Sequence, residues 1–377
     1  MFAPLKEAKQ YQFKPYEECP CESGKKYKFC CYAKSKDLKI DSSKFSAARL
    51  TAEGQKLFRD TEFKMCFGFD TSECSKNVIG AHSIQNNGVI NTISFENHVY
   101  TLSLEIGQNS MLPQLKFITV GKNKASIFSG FCKKHDEEYF KCIEDEKYEE
   151  TPEQNYWFAF RALCFELHRK LRLKKSYSLL FKKHAQATKV PSIYTNFYNT
   201  ELNIRDSWKE YERFKNVYVE KSFDDLESFV KEVPFKVGFT ATTSVAVGID
   251  LEGNIAADIY NYDKNLFIPS MYISVIPKEN STMIIISRFK EDTCYENLFS
   301  QLKNNKHDEK LFRYITFCLA EYSENVYFSP SVIDSLDENK KSKIRSAFMG
   351  VVSPTPELRL QNLMDTTSLN LFDLKLS

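Results

Sequence analysis

Cys19-Pro20-Cys21 is followed, after eight residues, by Cys30-Cys31. Four thiolates this close in sequence can complete a tetrahedral shell around zinc, with Zn–S bonds of about 2.3 Å. Ser23-Gly24 lets the intervening loop turn over the ion, and Lys25, Lys26 and Lys28 offset the excess thiolate charge. So short a segment has almost no apolar core, so metal would supply much of its folding free energy.

A second set of donors follows. It comprises Cys66 and Cys74, His82 within Ile79-Gly80-Ala81-His82-Ser83-Ile84, and Cys132-Lys133-Lys134-His135. Cys132 and His135 have the spacing of a zinc knuckle, and a hairpin can carry them to Cys66 and Cys74. His82 is then left outside the shell. Equally, His82 can replace one of the other four, since five candidates exceed four coordination positions. Two structural Zn²⁺ ions are expected in either case.

The segment CPCESGKKYKFCC closely resembles the SEC-C motif, with Glu22 where that motif commonly has glycine. This small zinc-binding module ends the bacterial translocation motor and occurs in many otherwise unrelated bacterial proteins. The resemblance implies a bacterial protein in which Cys19, Cys21, Cys30 and Cys31 hold zinc and the module docks other proteins. The motor's ATPase motifs are missing, so its activity is not implied. The second set resembles a treble-clef unit, and more narrowly the HNH nuclease arrangement: a ligand pair, an Ala-His segment entering a hairpin, and a second pair opening a helix. That resemblance implies structural zinc on Cys66, Cys74, Cys132 and His135. It also implies that His82 activates water against a phosphodiester, aided by a separate Mg²⁺ or Mn²⁺ ion. This chain departs from the pattern in the seven residues between Cys66 and Cys74, the long insert before Cys132, and the lack of a downstream Asn/His pair. Asn97-His98 is the candidate substitute, Asn91 a further orienting group and Asp136 a candidate cation ligand.

A nucleic-acid substrate requires cations along its path. Arg169, Lys170, Arg172, Lys174 and Lys175 are candidate phosphate contacts, together with Lys182, Lys183, Lys133 and Lys134. The same basic run also suits a helix C-terminus and a solvated face. With 52 Lys and Arg against 50 Asp and Glu, the formal charge is only +2, which argues against a globally polyanion-coating protein. His168 reads as a structural or surface residue, Cys164 and Cys318 as buried thiols, Cys142 as a secondary ligand candidate, and Asp250 and Glu252 as turn acids.

The elements that must position these groups follow from periodicity. VINTISF, HVYTLSL and LKFITV read as strands, and DEEYFKCIEDE as a helix directly after the last ligand pair. A helix over SAARLTAEGQKLFRD would place Leu50 and Leu57 on one side. Residues 153–180 predict a long helix, and 194–221 a helix in its later part. KVGFTATTSVAVGIDL, NIAADIY, LFIPSMYISVIP and STMIIISRF predict an antiparallel sheet, followed by helices near 292–304, 309–321 and 330–347. The expected fold class is α+β and multidomain: a zinc module at 1–45, a treble-clef-like unit at 46–150, a helical segment at 151–230, an α+β domain at 231–350 and a flexible or docking tail at 351–377.

Composition bounds the rest. The 377 residues are 42% hydrophobic and 27% charged, which is a folding composition, and 31 Phe with 20 Tyr make rings the main core volume. Eight of the eleven cysteines precede residue 143, which favours metal ligation over a disulfide scaffold. No run approaches the roughly 18 apolar residues of a membrane span, and the start lacks a signal core, so a cytoplasmic location is expected. No Walker loop, dinucleotide fingerprint, HExxH or GxSxG motif occurs. The expected function is zinc-organised macromolecular recognition, extended to metal-dependent cleavage of DNA or RNA if His82 is catalytic. The alternative is a non-enzymatic protein-docking adaptor.

Overall fold

The computed structural model describes residues 13–36, 47–106, 113–349, 361, 363 and 369–376. In chain order, α1 (Cys31–Lys36) and α2 (Ala47–Asp60) lead to β1 (Val78–His82). A π turn at Asn86–Ile90 and α3 (Asn91–Ile93) precede β2 (His98–Ile106), β3 (Pro113–Gly121) and β4 (Ile127–Cys132). Then follow α4 (Lys133–Glu144), α5 (Pro152–Lys183), α6 (Pro191–Glu220), β5 (Leu226–Val233), β6 (Phe239–Val245), β7 (Met271–Pro277) and β8 (Thr282–Phe289). The chain continues through α7 (Glu296–Asn304), α8 (Asp308–Tyr322), β9 (Val326–Phe328), α9 (Pro330–Ser335) and α10 (Glu338–Phe348). This is the expected α+β class. β1 and β4 form a small antiparallel sheet; the others form a seven-stranded antiparallel sheet in the order β3-β2-β9-β6-β7-β8-β5.

The long helix α5 is the central support. Thr151 caps it by accepting from the Gln154 N–H, and Pro152 takes a first-turn position where no intrahelical N–H bond is lost. Its apolar face is wide because it packs on β4 and α4, on β5, β6 and β7, and along α6. Tyr156, Trp157, Phe160, Leu163 and Leu167 are buried there. α6 ends with Lys221 in the left-handed region at φ 56°.

Several expected elements differ. VINTISF is not a strand but the π turn and α3, because buried Val89, Ile90 and Ile93 recur at helical rather than alternating spacing. NIAADIY forms only an isolated bridge, Ile249 to Ile255: Ala256 and Ala257 pack on the core of the large sheet while Ile255 is exposed, so its burial does not alternate along a ladder. The helix expected at 330–347 breaks into α9 and α10, where Asp337 turns its side chain back to cap the Lys340 N–H. β5 starts within the stretch expected to be helical, and the three-residue β9 is too short to show a period. Leu57 of α2 packs against the first cysteine cluster's core, whereas the Leu50 side chain lies outside the described residues.

Hydrogen bonds also cross the boundary expected at residue 150. Tyr100 of β2 pairs with Phe328 of β9, so the β2–β3 hairpin becomes the edge of the large sheet. Of the tail expected at 351–377, residues 369–376 are packed on the chain itself. Leu371 and Phe372 are buried, and the Phe372 ring stacks 4.3 Å from that of Phe312. The rest of that tail, apart from 361 and 363, lies outside the described residues.

Candidate metal centres

The first cluster is built by a tight loop and a helix start. The Cys19 N–H donates to the Lys25 carbonyl at 2.9 Å, and the Cys30 N–H to that of Tyr27 at 3.1 Å, folding the loop back on itself. The turn uses left-handed backbone at Glu22 (φ 54°) and Gly24 (φ 71°). Cys19, Cys21, Cys30 and Cys31 are all buried, with their sulfurs within 4.8 Å of one another. Cys21 Sγ lies 3.4 Å from Cys19 Sγ and 3.5 Å from Cys30 Sγ, and Ser23 Oγ donates to Cys30 Sγ at 3.1 Å. A tetrahedron with Zn–S bonds of about 2.3 Å has edges of about 3.8 Å, so the cage is the right size. Burial raises the Cys19 and Cys31 thiols. Burial acts the same way on Cys21, but hydrogen bonding from Ser23 and the neighbouring thiols outweighs it and brings Cys21 down to about 7. Four ionised sulfurs at this separation repel one another unless a cation sits among them. The donor set therefore suits Zn²⁺.

This module is not free-standing. Tyr27, Phe181, Ala187, Ile193 and Phe197 form one core, to which Phe13 adds its ring. Tyr27 Oη meets Thr188 Oγ1 at 3.0 Å, and Lys189 Nζ donates to the Ser35 carbonyl at 2.6 Å. Its apolar face is thus spent on the α5–α6 connection.

The second cluster draws on three separate pieces of chain. The Met65 and Phe67 N–H groups pair with Ser129 and Gly130 carbonyls of β4, which fixes Cys66 beside that strand. Cys74 follows a 3-10 turn at Thr71–Glu73, capped by Asp70 on the Ser72 N–H at 2.8 Å. Cys132 ends β4, and His135 lies in the first turn of α4. His135 Nδ1 is 3.3 Å from both Cys66 Sγ and Cys132 Sγ, and all four donor atoms lie within 4.8 Å of one another. Mixed Zn–N and Zn–S bonds of about 2.0 and 2.3 Å require edges of about 3.5 Å, so this set also fits zinc. The Cys132 N–H donates to Cys66 Sγ at 3.3 Å. Gly68 crosses directly over the His135 ring, so closely that a methyl there would lie under 3.0 Å from Nδ1, Cε1 and Cγ. That approach is where glycine is required.

His82 stands outside both donor sets. It ends β1 opposite Ile127 of β4, half-buried, and its enclosed Nε2 has no hydrogen-bond partner among the described residues. Desolvation lowers its pKa, opposed by the Glu144 carboxylate and reinforced by the Arg161 guanidinium, which favours the neutral imidazole. Arg161 is 3% exposed, lies 4.0 Å above the Phe140 ring and binds Glu144 at 2.7 Å. Asp136, on the same helix as Glu144, is pushed up to about 6 by burial, against the pull of Arg161. Arg161 and Glu144 belong to no motif of the sequence, although an arginine inside α5's apolar stripe is a visible signal.

The remaining candidates fall elsewhere. Asn97 adopts φ 61° in the turn that starts β2, and His98 Nδ1 lies 2.7 Å from the Glu96 carbonyl. Both serve a turn of the large sheet rather than the His82 strand. Asn91 Oδ1 accepts from Lys122 Nζ at 2.7 Å. Cys142 is half-buried outside the clusters, and Cys164 and Cys318 are buried thiols. His168 is buried against the Phe63 carbonyl at 2.9 Å.

Most cations expected to meet phosphate already have partners. Arg169 pairs with Glu324, Lys134 with Glu73 and Lys183 with Glu53, while Lys174 meets Glu201 at 2.8 Å and Lys133 meets Glu137 at 3.6 Å. Lys170 is 4.0 Å from Glu166, and Arg172 donates to the Thr61 and Arg59 carbonyls. Lys175 and Lys182 are exposed. Among the described residues, no helix is long and apolar enough to cross a membrane. No protein-family model, curated protein or solved structure matches the chain.

Proposed function

We propose that the chain is a zinc-organised macromolecular-recognition protein whose second zinc unit is an HNH-like phosphodiesterase, with His82 as its general base. The observation that carries this is positional. Cys66, Cys74, Cys132 and His135 converge at one end of the β1–β4 hairpin and the start of α4, while His82 stands on the same hairpin outside that cage. A desolvated, neutral imidazole can accept a proton from water. Among the described residues, no third group of three metal ligands accompanies His82, so no residue is assigned to a catalytic Mg²⁺ or Mn²⁺ ion.

The test is His82→Ala in the full chain, with zinc content and cleavage of plasmid DNA and RNA measured on the same samples. The expected variant keeps both zinc ions and loses divalent-ion-dependent cleavage. Zinc loss on this substitution, or no cleavage by pure wild type, would overturn the assignment.

A docking adaptor with a SEC-C-like module is the second reading, and a different feature favours it. Tyr16 and Phe29 are 64% and 61% exposed, with Lys28 Nζ 5.1 Å and 5.8 Å from their ring centres. Exposed rings beside a cation suit a protein contact. Under this reading, replacing Tyr16 and Phe29 with serine abolishes capture of a partner while zinc content is unchanged.

A further inference from the structure

A polar cleft of about 360 Å³ opens where α5 and α6 meet the end of β6 and the segment 259–270. Its volume suits a drug-sized or nucleotide-sized ligand. Its distinctive feature is one turn of α5. Glu166 and Lys170, four residues apart, both line the cleft with side chains only 13% and 25% exposed.

Neither charged group is well hydrogen-bonded by the chain. Their mutual separation of 4.0 Å is an ion-pair distance but too long for a hydrogen bond. Glu166 Oε1 accepts only a long contact of 3.4 Å from Thr243 Oγ1, and Lys170 Nζ has no acceptor within hydrogen-bond reach among the described residues. Leaving a largely desolvated ammonium and carboxylate in this state is unfavourable, and a ligand bridging both would relieve it. Such a ligand must present an acceptor next to donors along one edge.

The surrounding charges exclude a simple anion. Arg169, Lys170 and Arg205 are matched by Glu166, Asp206 and Glu324 around the same cleft, so a bare phosphate would face as many carboxylates as cations. Arg169 and Arg205 are also engaged, with Glu324 and with Asp206. Phe58 and Tyr262 add aromatic surface to the walls, which suits a flat ring.

We propose that this cleft is a nucleobase site selective for guanine. Lys170 donates to the base's O6, and the Glu166 carboxylate accepts from its N1–H and its exocyclic N2–H₂. Adenine, presenting an amino group where guanine presents O6, would set a donor against Lys170. Cytosine and uracil lack the run of one acceptor followed by two donors. The site is independent of His82 and does not rest on the nuclease assignment.

The test is calorimetric titration of the full-length protein with the 5′-monophosphates of guanosine, inosine, adenosine, cytidine and uridine. Guanosine monophosphate is expected to saturate, with the adenosine, cytidine and uridine compounds at least 10-fold weaker, since base-edge pairs of this kind discriminate by about that factor or more. Inosine monophosphate keeps O6 and N1–H but lacks the exocyclic amine, so about 10-fold weaker binding isolates the Glu166 contact without mutation. Lys170→Met is expected to weaken guanosine monophosphate by at least about 10-fold, with folding checked by circular dichroism. Should that variant unfold, the wild-type comparison decides alone. Equal affinities across the five nucleotides, or no saturation by guanosine monophosphate, overturns the proposal.

Discussion

Replacing Gly68 with alanine perturbs the second metal centre without removing any donor. The added methyl would lie under 3.0 Å from three atoms of the His135 ring, closer than side-chain carbons approach. The loop cannot move aside freely. Phe67 is paired to Gly130 at 2.9 Å, the Phe69 N–H donates to Tyr139 Oη at 2.8 Å, and Tyr211 Oη donates to the Phe67 and Gly68 carbonyls at 3.2 and 3.3 Å. Either those bonds break or His135 swings and Nδ1 leaves its place near Cys66 and Cys132. Overpacking of this kind costs about 1–3 kcal/mol, and misdirecting a ligand typically weakens metal binding by about 10–100-fold. A chelator titration followed by metal analysis should show one zinc ion released at correspondingly lower chelator concentration and the other unchanged. Gly54→Ala is the control, because its methyl would meet only Leu180 at an ordinary 3.8 Å, and helix propensity favours alanine there by about 0.5–1 kcal/mol. If Gly68→Ala held both zinc ions as tightly as wild type, His135 would not occupy the shell described.

Three further outcomes are expected. Cys30→Ser should remove the first zinc and leave the second, because the two donor sets share no residue; metal analysis showing loss of both would contradict separate centres. Glu22→Gly should stabilise the first module by about 1 kcal/mol, read as a higher Tm of the zinc-loaded protein, since Glu22 holds φ 54° and left-handed backbone costs non-glycine residues roughly 1–2 kcal/mol, partly offset by glycine's greater unfolded freedom. A lower Tm would show that the Glu22 side chain contributes more than its backbone strain removes. Burial raises the Glu210 carboxyl from its ordinary 4.5 to about 7, against the pull of Arg213. Because the native state then holds this proton more tightly, the group's contribution to stability is full below about pH 4.5 and is lost as pH rises through about 7. Denaturant unfolding should show Glu210→Gln gaining on wild type across that window, and a constant difference would refute the assignment.

What was legible in the chain followed contact distance. The four thiols of the first cluster are local, so their convergence could be read from spacing. The Cys132 and His135 pair was legible for the same reason, and the helix after it followed from its own periodicity. The fates of the basic residues were not, because Glu324, Glu201, Glu73 and Glu53 reach them from distant segments. Nor could the sequence reveal that Tyr27 reaches Thr188, which turns an apparently separate module into a packed one. Val89, Ile90 and Ile93 suit a strand by residue type, being β-branched, whereas their burial on one side favours a helical turn. The Glu166–Lys170 pair was visible as a helical i,i+4 spacing, but only the surrounding cleft makes it more than a surface pair.

The long insert between His82 and β4 explains how the second metal centre and the large sheet depend on one another. At its base, the Ser83 N–H donates to the Ser126 carbonyl at 2.9 Å, and Ser126 Oγ donates to the Ile84 carbonyl at 3.0 Å, so the insert leaves and rejoins the small sheet at one point. That point is fastened to the C-terminal half: Tyr327 Oη accepts from the Ser126 N–H at 2.8 Å, and Asn325 Nδ2 donates to Ser83 Oγ at 3.1 Å and to the Thr242 carbonyl at 2.8 Å. Beyond it, β2 carries Val99 into a core shared with Ile276, Met283 and Ile285. The metal donors therefore pin the β1–β4 hairpin at one end, and the β9 region grips it at the other, next to His82. A metal ion held by these four donors would fix the Cys132 end of the β1–β4 pair, while the bonds of Ser83 and Ser126 to Asn325 and Tyr327 hold the His82 end against the large sheet.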